Sequence, residues 1–256
     1  MLCSIKELAG LPLAATDGDI GHATEAYFDD LRWVIRHLVV DTGGWLTGRK
    51  VLIAPQAIQG IDRARHRIEV ALARGQIEAE PDIDTARPVS RQHEIAIYDH
   101  YGWPYWWQGD SMVDTTAHAL AGMVLAPPSP GAGLPPGAAA QVEAESAQDD
   151  PHLRSSTEVV GYHVAARDGD IGHIADFLFD ERTWAIAFAV VDTGHWLAGR
   201  QVLIEPRWIE RIDWAGRKVW VQLTRAAVES SPRYRHGEPL QEEQFRKVQR
   251  HFESSE

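Results

Sequence analysis

Asp17-Gly18-Asp19-Ile20-Gly21-His22 returns as Asp168-Gly169-Asp170-Ile171-Gly172-His173, 151 positions later in a chain of 256 residues. The same offset carries Val39-Val40-Asp41-Thr42-Gly43 onto Val190-Val191-Asp192-Thr193-Gly194. It carries Trp45-Leu46 and Gly48-Arg49 onto Trp196-Leu197 and Gly199-Arg200, and Val51-Leu52-Ile53 with Pro55 onto Val202-Leu203-Ile204 with Pro206. No gap is needed, and well over half the positions between Asp17 and Pro55 are identical. Agreement over such a length reads as an internal duplication. The period far exceeds the roughly 20–50 residues of stacked solenoid repeats, so each copy is expected to be a domain in its own right.

Inside each copy the apolar period is two, the period of a strand. Trp184, Ile186, Phe188 and Val190 alternate with Ala185, Ala187, Ala189 and Val191. In the first copy Trp33, Ile35, His37 and Val39 alternate with Val34, Arg36, Leu38 and Val40. A strand apolar on both faces is covered on both sides. One face is expected to fill a barrel. The other, small in the second copy, would accept a neighbouring domain, which makes the two copies natural covers for each other. Further strands are expected from Gly21 to Phe28, Lys50 to Ala54, Ile58 to Asp62 and Arg67 to Leu72, with Asp-Gly and Thr-Gly-Gly turns between them.

A helical period closes each copy. Ile95, Tyr98 and Tyr101 recur after a candidate N-cap at Ser90, and Phe245, Val248 and Phe252 recur among charged residues. Between the copies, residues 126–150 are rich in Pro, Gly and Ala and then in Glu, Gln, Ser and Asp, which reads as a flexible tether. The expected organisation is therefore a first repeat over residues 1–107 with its helix and an aromatic tail, a linker over 108–151, and a second repeat over 152–256.

Lys and Arg number 25 against 37 Asp and Glu, a net charge of −12, which argues against a nucleic-acid footprint. The lone Cys3 allows no intrachain disulfide and no thiolate cluster. No apolar run approaches the roughly 18 residues of a membrane span, so direct membrane insertion is not expected and a cytoplasmic location is the simplest.

The Asp-Gly-Asp-Ile-Gly-His turn, the Val-Val-Asp-Thr-Gly run, the Trp-Leu-x-Gly-Arg loop and the Val-Leu-Ile strand, in that order and twice over, resemble the PRC-barrel family. The likeness covers residues 3–107 and 152–252. It implies a mainly β fold: two small β-barrels, each followed by a C-terminal helix, arranged as a pseudo-twofold pair. The family includes the cytoplasmic domain of the photosynthetic reaction-centre H subunit and the C-terminal barrel of a ribosome maturation factor. Both serve as assembly platforms, so the resemblance implies a non-enzymatic binding or scaffolding role toward a protein partner.

The residues that could bind or react were weighed in that light. Asp17, Asp19 and His22 offer two carboxylates and an imidazole close in sequence, which as an alternative reads as a divalent-metal site and with it a metal-dependent enzyme. The plainer reading is a turn whose aspartates accept backbone N–H groups, followed by a partly buried strand histidine. Asp41, Trp45 and Arg49, with Asp192, Trp196 and Arg200, frame the glycine-rich loop. They read as an Asp–Arg clamp or as a recognition surface, since Trp and Arg are enriched in binding hot spots. Trp103 and Trp106 belong to the aromatic cluster that follows the first helix. No nucleophile–base pair, phosphate loop or zinc spacing is evident, so no catalytic residue, metal or cofactor is assigned. A reaction-centre-like role in electron transfer is the other alternative that the family offers.

Overall fold

The computed structural model describes residues 1–46, 48–81, 91–103, 152–194, 199–236 and 242–253. The expected tether at 126–150 lies outside them, as do Ser90, Trp106 and Trp196. The chain falls into two units, Met1–Arg74 together with His152–Glu256, and Gly75–Pro151.

The protein is mainly β. The first repeat runs β1 (Leu2–Ser4), α1 (Ile5–Leu8), β2 (Pro12–Ala15), β3 (Gly18–Asp29), β4 (Val34–Asp41), β5 (Lys50–Ile53), β6 (Ile58–Asp62), β7 (Arg67–Val70) and α2 (Arg74–Glu78). Helix α3 (Arg91–Tyr101) follows. The second repeat runs β8 (Leu153–Ser155), α4 (Ser156–Val159), β9 (His163–Ala166), β10 (Gly169–Asp180), β11 (Ile186–Asp192), β12 (Gln201–Ile204), β13 (Ile209–Asp213), β14 (Lys218–Val221), α5 (Arg225–Ser230), β15 (Arg233–Tyr234) and α6 (Glu242–Glu253). No helix of the described residues is long and apolar enough to cross a membrane.

Two sheets result. Their strand orders are β5-β4-β3-β2-β7-β6 and β13-β14-β9-β10-β11-β12-β15. Among the described residues each is an open path, so the closed ring of strands expected from the sequence is not found. The chain leaves the ladder after β5 and β12 through 3-10 turns at Pro55–Ala57 and Pro206–Trp208. The proline that opens each turn has no N–H to carry the pairing onward.

The repeated glycine of the Gly-His pair has a steric cause. Register slips by one between Asp19 and Gly21, and between Asp170 and Gly172. The extra residues, Ile20 and Ile171, are buried. These bulges bring Gly21 and Gly172, at φ +131° and +148°, so close to β4 and β11 that a Cβ would lie 2.0 Å from the carbonyl oxygen of Asp41 or Asp192.

The repeats exchange edge strands. β1 pairs with β10 (Leu2↔Asp180, Cys3↔Phe179, Ser4↔Leu178), and β8 pairs with β3 (Leu153↔Asp29, Arg154↔Phe28, Ser155↔Tyr27). Each residue of one ladder is matched by its equivalent 151 positions away in the other. An antiparallel bridge, Val34↔Ala185, joins two such equivalents directly. Ile35 N–H donates to the Trp184 carbonyl at 2.9 Å, and Ile186 N–H to that of Trp33 at 2.7 Å. The repeats thus meet backbone to backbone just before β4 and β11. Trp33 and Trp184 take left-handed backbone, φ +54° and +59°, which is rare for a bulky residue. Packing offsets that strain: Trp33 stacks on Phe28 at 5.7 Å and lies 6.2 Å from Phe177, while Trp184 stacks on Phe179 at 5.1 Å.

Polar pairs close the seam. Arg154 Nε bonds Asp30 Oδ2 at 2.9 Å and its guanidinium lies 3.9 Å from the Trp214 ring. At the equivalent corner Arg63 pairs with Glu181, and Cys3 donates to Glu181 Oε1 at 2.9 Å. Burial, then the Glu181 bond, pushes the Cys3 thiol up to about 12. Burial opposes the charge on Glu181, but the bonds from Arg63 and Cys3 outweigh it and hold the carboxyl below its usual range.

Helix α6 lays the expected stripe inward. Phe252 and Val248 are buried, and Phe245 meets Phe188 edge-on at 5.3 Å. The unit at Gly75–Pro151 holds α3, whose buried residues are Glu94, Ile97 and Tyr98 rather than Ile95. Gly102, at φ +67°, ends it, with Trp103 N–H bonding the Tyr98 carbonyl at 2.9 Å and Gly102 N–H that of Asp99 at 3.2 Å, the Schellman pattern.

Candidate functional site

The site is assembled from the β4–β5 loop, the Asp-Gly-Asp turn and the first residue of α2. Asp41 ends β4, and its Oδ1 accepts the Gly43 N–H at 2.8 Å. Thr42 donates twice to the Arg49 carbonyl, from its hydroxyl at 2.5 Å and its N–H at 3.1 Å. Gly48 N–H reaches the Gly43 carbonyl at 2.6 Å, with both glycines in the left-handed region at φ +74° and +56°. The second repeat reproduces this: Asp192 Oδ1 accepts from Gly194 at 2.8 Å, and the Thr193 hydroxyl donates to the Arg200 carbonyl at 2.7 Å. The aspartates thus hold backbone. Arg200 donates to the carbonyls of Glu229, at 2.8 Å, and Ser231. Those carbonyls lie at the C-terminus of α5, where a cation is favoured.

Asp17 and Asp168 bond backbone as expected, but not within their own turn. Asp17 Oδ1 accepts the Arg74 N–H at 2.8 Å, and Asp168 Oδ1 that of Arg225 at 2.7 Å, so each fastens the start of a helix 57 residues away. Asp168→Ala is expected to cost about 1 kcal/mol in urea unfolding, the net worth of one hydrogen bond, since Thr224 is the N-cap of α5. No change would show that the turn stands without α5. His22 and His173 are exposed rather than partly buried. Asp19 and Asp170 are exposed too, and Asp170 pairs with Lys218 at 3.2 Å. Among the described residues, no three of His, Cys, Asp and Glu converge as metal ligands would.

The Arg74 side chain joins turn and loop. Its Cδ lies 3.4 Å from where a Cβ on Gly18 would be, and its guanidinium carbon stands 4.4 Å from the centre of the half-exposed Trp45 ring. Arg225 lies across Gly169 in the same way, its Cδ at 3.2 Å. Trp196, the counterpart of Trp45, lies outside the described residues, as does Trp106. Trp103 is half-buried and packs within its own unit, stacked on Tyr101 at 4.3 Å and edge-on to Tyr98 at 5.8 Å.

Arg74 and Arg225 are the residues that motif reading passed over. Their signal was available, since the same offset that matches the turns matches Leu72 with Leu223 and Arg74 with Arg225. Set against family models and against curated proteins, the chain finds no match in either.

Proposed function

We propose that the chain is a tandem PRC-barrel protein, two small barrels held as a pseudo-twofold pair. It acts without catalysis as a binding or assembly module for a protein partner, in the cytoplasm. The observation that carries the reading is the use made of the repeated polar residues. Asp17, Asp41, Asp168 and Asp192 hold loop and helix backbone, and Trp45 stands half-exposed beside Arg74. A preorganised aromatic–guanidinium pair is the composition of an interface anchor, since little side-chain freedom is lost on docking. The equivalence of the exchanged strands supports the pseudo-twofold arrangement.

Affinity capture from the native cell, run in parallel with the unmutated chain and Trp45→Ala, tests this. A genuine partner is expected to be recovered about tenfold less with the variant, a loss typical of an anchor residue. A partner retained equally by both, with the variant's thermal melt unchanged, would overturn the role given to the loop.

A further inference from the structure

The seam between the repeats holds a half-open pocket of about 140 Å³ beside α1 and α4. Ile5, Ala9, Val160 and Phe177 give it apolar walls. Glu25 and Asp176 also line it, and they are equivalents, one carboxylate from each repeat. Each is fastened by neutral donors from the other repeat. The Ser4 hydroxyl and the Lys6 N–H (3.2 Å) bond Asp176, which also takes its neighbour Phe177 N–H at 2.7 Å. The hydroxyls of Ser155 and Thr157 (2.8 Å) bond Glu25. These bonds orient the carboxylates but bring no positive charge.

The charges do not balance. Asp176 is buried, and burial raises its carboxyl above the ordinary range despite its three donors. Among the described residues Lys6 is the single lysine or arginine in the cavity wall, set against two carboxylates. His236 stands 4.0 Å from Asp176 Oδ2 and equally far from Glu7 Oε1. With Lys6 charged, the wall keeps one net negative charge. An anion would be repelled, and the apolar wall of Ile5, Ala9, Val160 and Phe177 favours a cation that carries its own apolar body over a hydrated metal ion. The volume is close to the roughly 150 Å³ of a cavity known to hold benzene, so it suits about six to eight heavy atoms.

We infer that this cavity binds a small organic ammonium ion, its apolar body against Phe177, Ile5 and Val160 and its charged head between Glu25 and Asp176. The site exists only where both repeats contribute, so its ligand also strengthens the seam by mass action. It stands independently of the role proposed for the Trp45 loop.

Calorimetric titration of the full chain with benzylammonium, benzyl alcohol and benzoate tests it. Benzylammonium is expected to saturate and to bind about tenfold or more tighter than benzyl alcohol, with no binding of benzoate. Glu25→Gln keeps an acceptor for Ser155 and Thr157 but removes the charge, and is expected to weaken benzylammonium about tenfold. Lys6→Gln removes the competing cation from an exposed position and is expected to tighten it about threefold, while Val160→Phe fills the space and abolishes binding. Equal affinity for benzyl alcohol, no saturation by benzylammonium, or affinity unmoved by both Lys6→Gln and Val160→Phe would overturn the inference. The Lys6 variant decides the matter even if Glu25→Gln fails to fold.

Discussion

Gly172→Ala is expected to lose about 3–5 kcal/mol of unfolding free energy, at the severe end for a single methyl group. The added Cβ would lie 2.0 Å from the Asp192 carbonyl oxygen and 2.9 Å from the Thr193 Cα, and both are backbone atoms. No rotamer change relieves that contact. Either β10 separates from β11 at the bulge or the Asp192 loop shifts, and the loop is the segment that the Asp192–Gly194 bond fixes. Gly194→Ala supplies the control. Its φ of +54° also disfavours a side chain, though less than the +148° of Gly172, and nothing lies within 4 Å, so only the conformational cost of about 1–2 kcal/mol applies. Urea unfolding of the two variants should therefore separate them by at least about 2 kcal/mol. Equal losses would mean that conformation, not the close approach of β10 to β11, accounts for the glycine.

The same glycine shows how much was legible before any coordinates. Its recurrence in two copies marked the duplication and nothing more, because the carbonyl that excludes a side chain lies 20 residues on, at Asp41 and Asp192. Period-two alternation placed β4, and apolar runs bounded by turn signals placed β5, β6 and β7, each to within a residue or two. It could not show that Trp33 and Trp184 stand before their strands in left-handed backbone, since a tryptophan in an alternating run looks like any inward residue. The exchange of β1 and β8 was illegible for a different cause. A three-residue strand has too short a pattern to name its partner, and Leu2–Ser4 pairs some 175 residues away. For the site, Asp17 and Asp168 were read as backbone acceptors and are so, whereas Asp41 and Asp192, read as clamp or recognition residues, also accept backbone N–H groups, and Asp170 pairs with Lys218. The helices that Asp17 and Asp168 fasten, and the arginine that ties turn to loop, depend on contacts that no local spacing encodes.

Removing residues 1–8 should damage the second repeat before the first. Those residues carry β1, which covers Leu178–Asp180 of β10, and α1, whose Ile5 and Leu8 are buried. Loss of Ile5 and Leu8 alone forfeits about 3–6 kcal/mol of burial, an upper estimate. The Asp176 carboxylate would lose its Ser4 and Lys6 donors at the same time, and an unmet buried carboxylate adds to the cost. In the first repeat, β8 would still cover Tyr27–Asp29. Hydrogen exchange on the truncated chain should thus show amides at Leu178–Asp180 exchanging about a hundredfold faster, with Tyr27–Asp29 changed far less. Were the repeats independent, the loss would fall on the first repeat, where the deleted residues belong in sequence, and Leu178–Asp180 would be unmoved. The discriminating quantity is which of two equivalent strands loses protection, so a general fall in stability, which lowers both, cannot imitate the expected result.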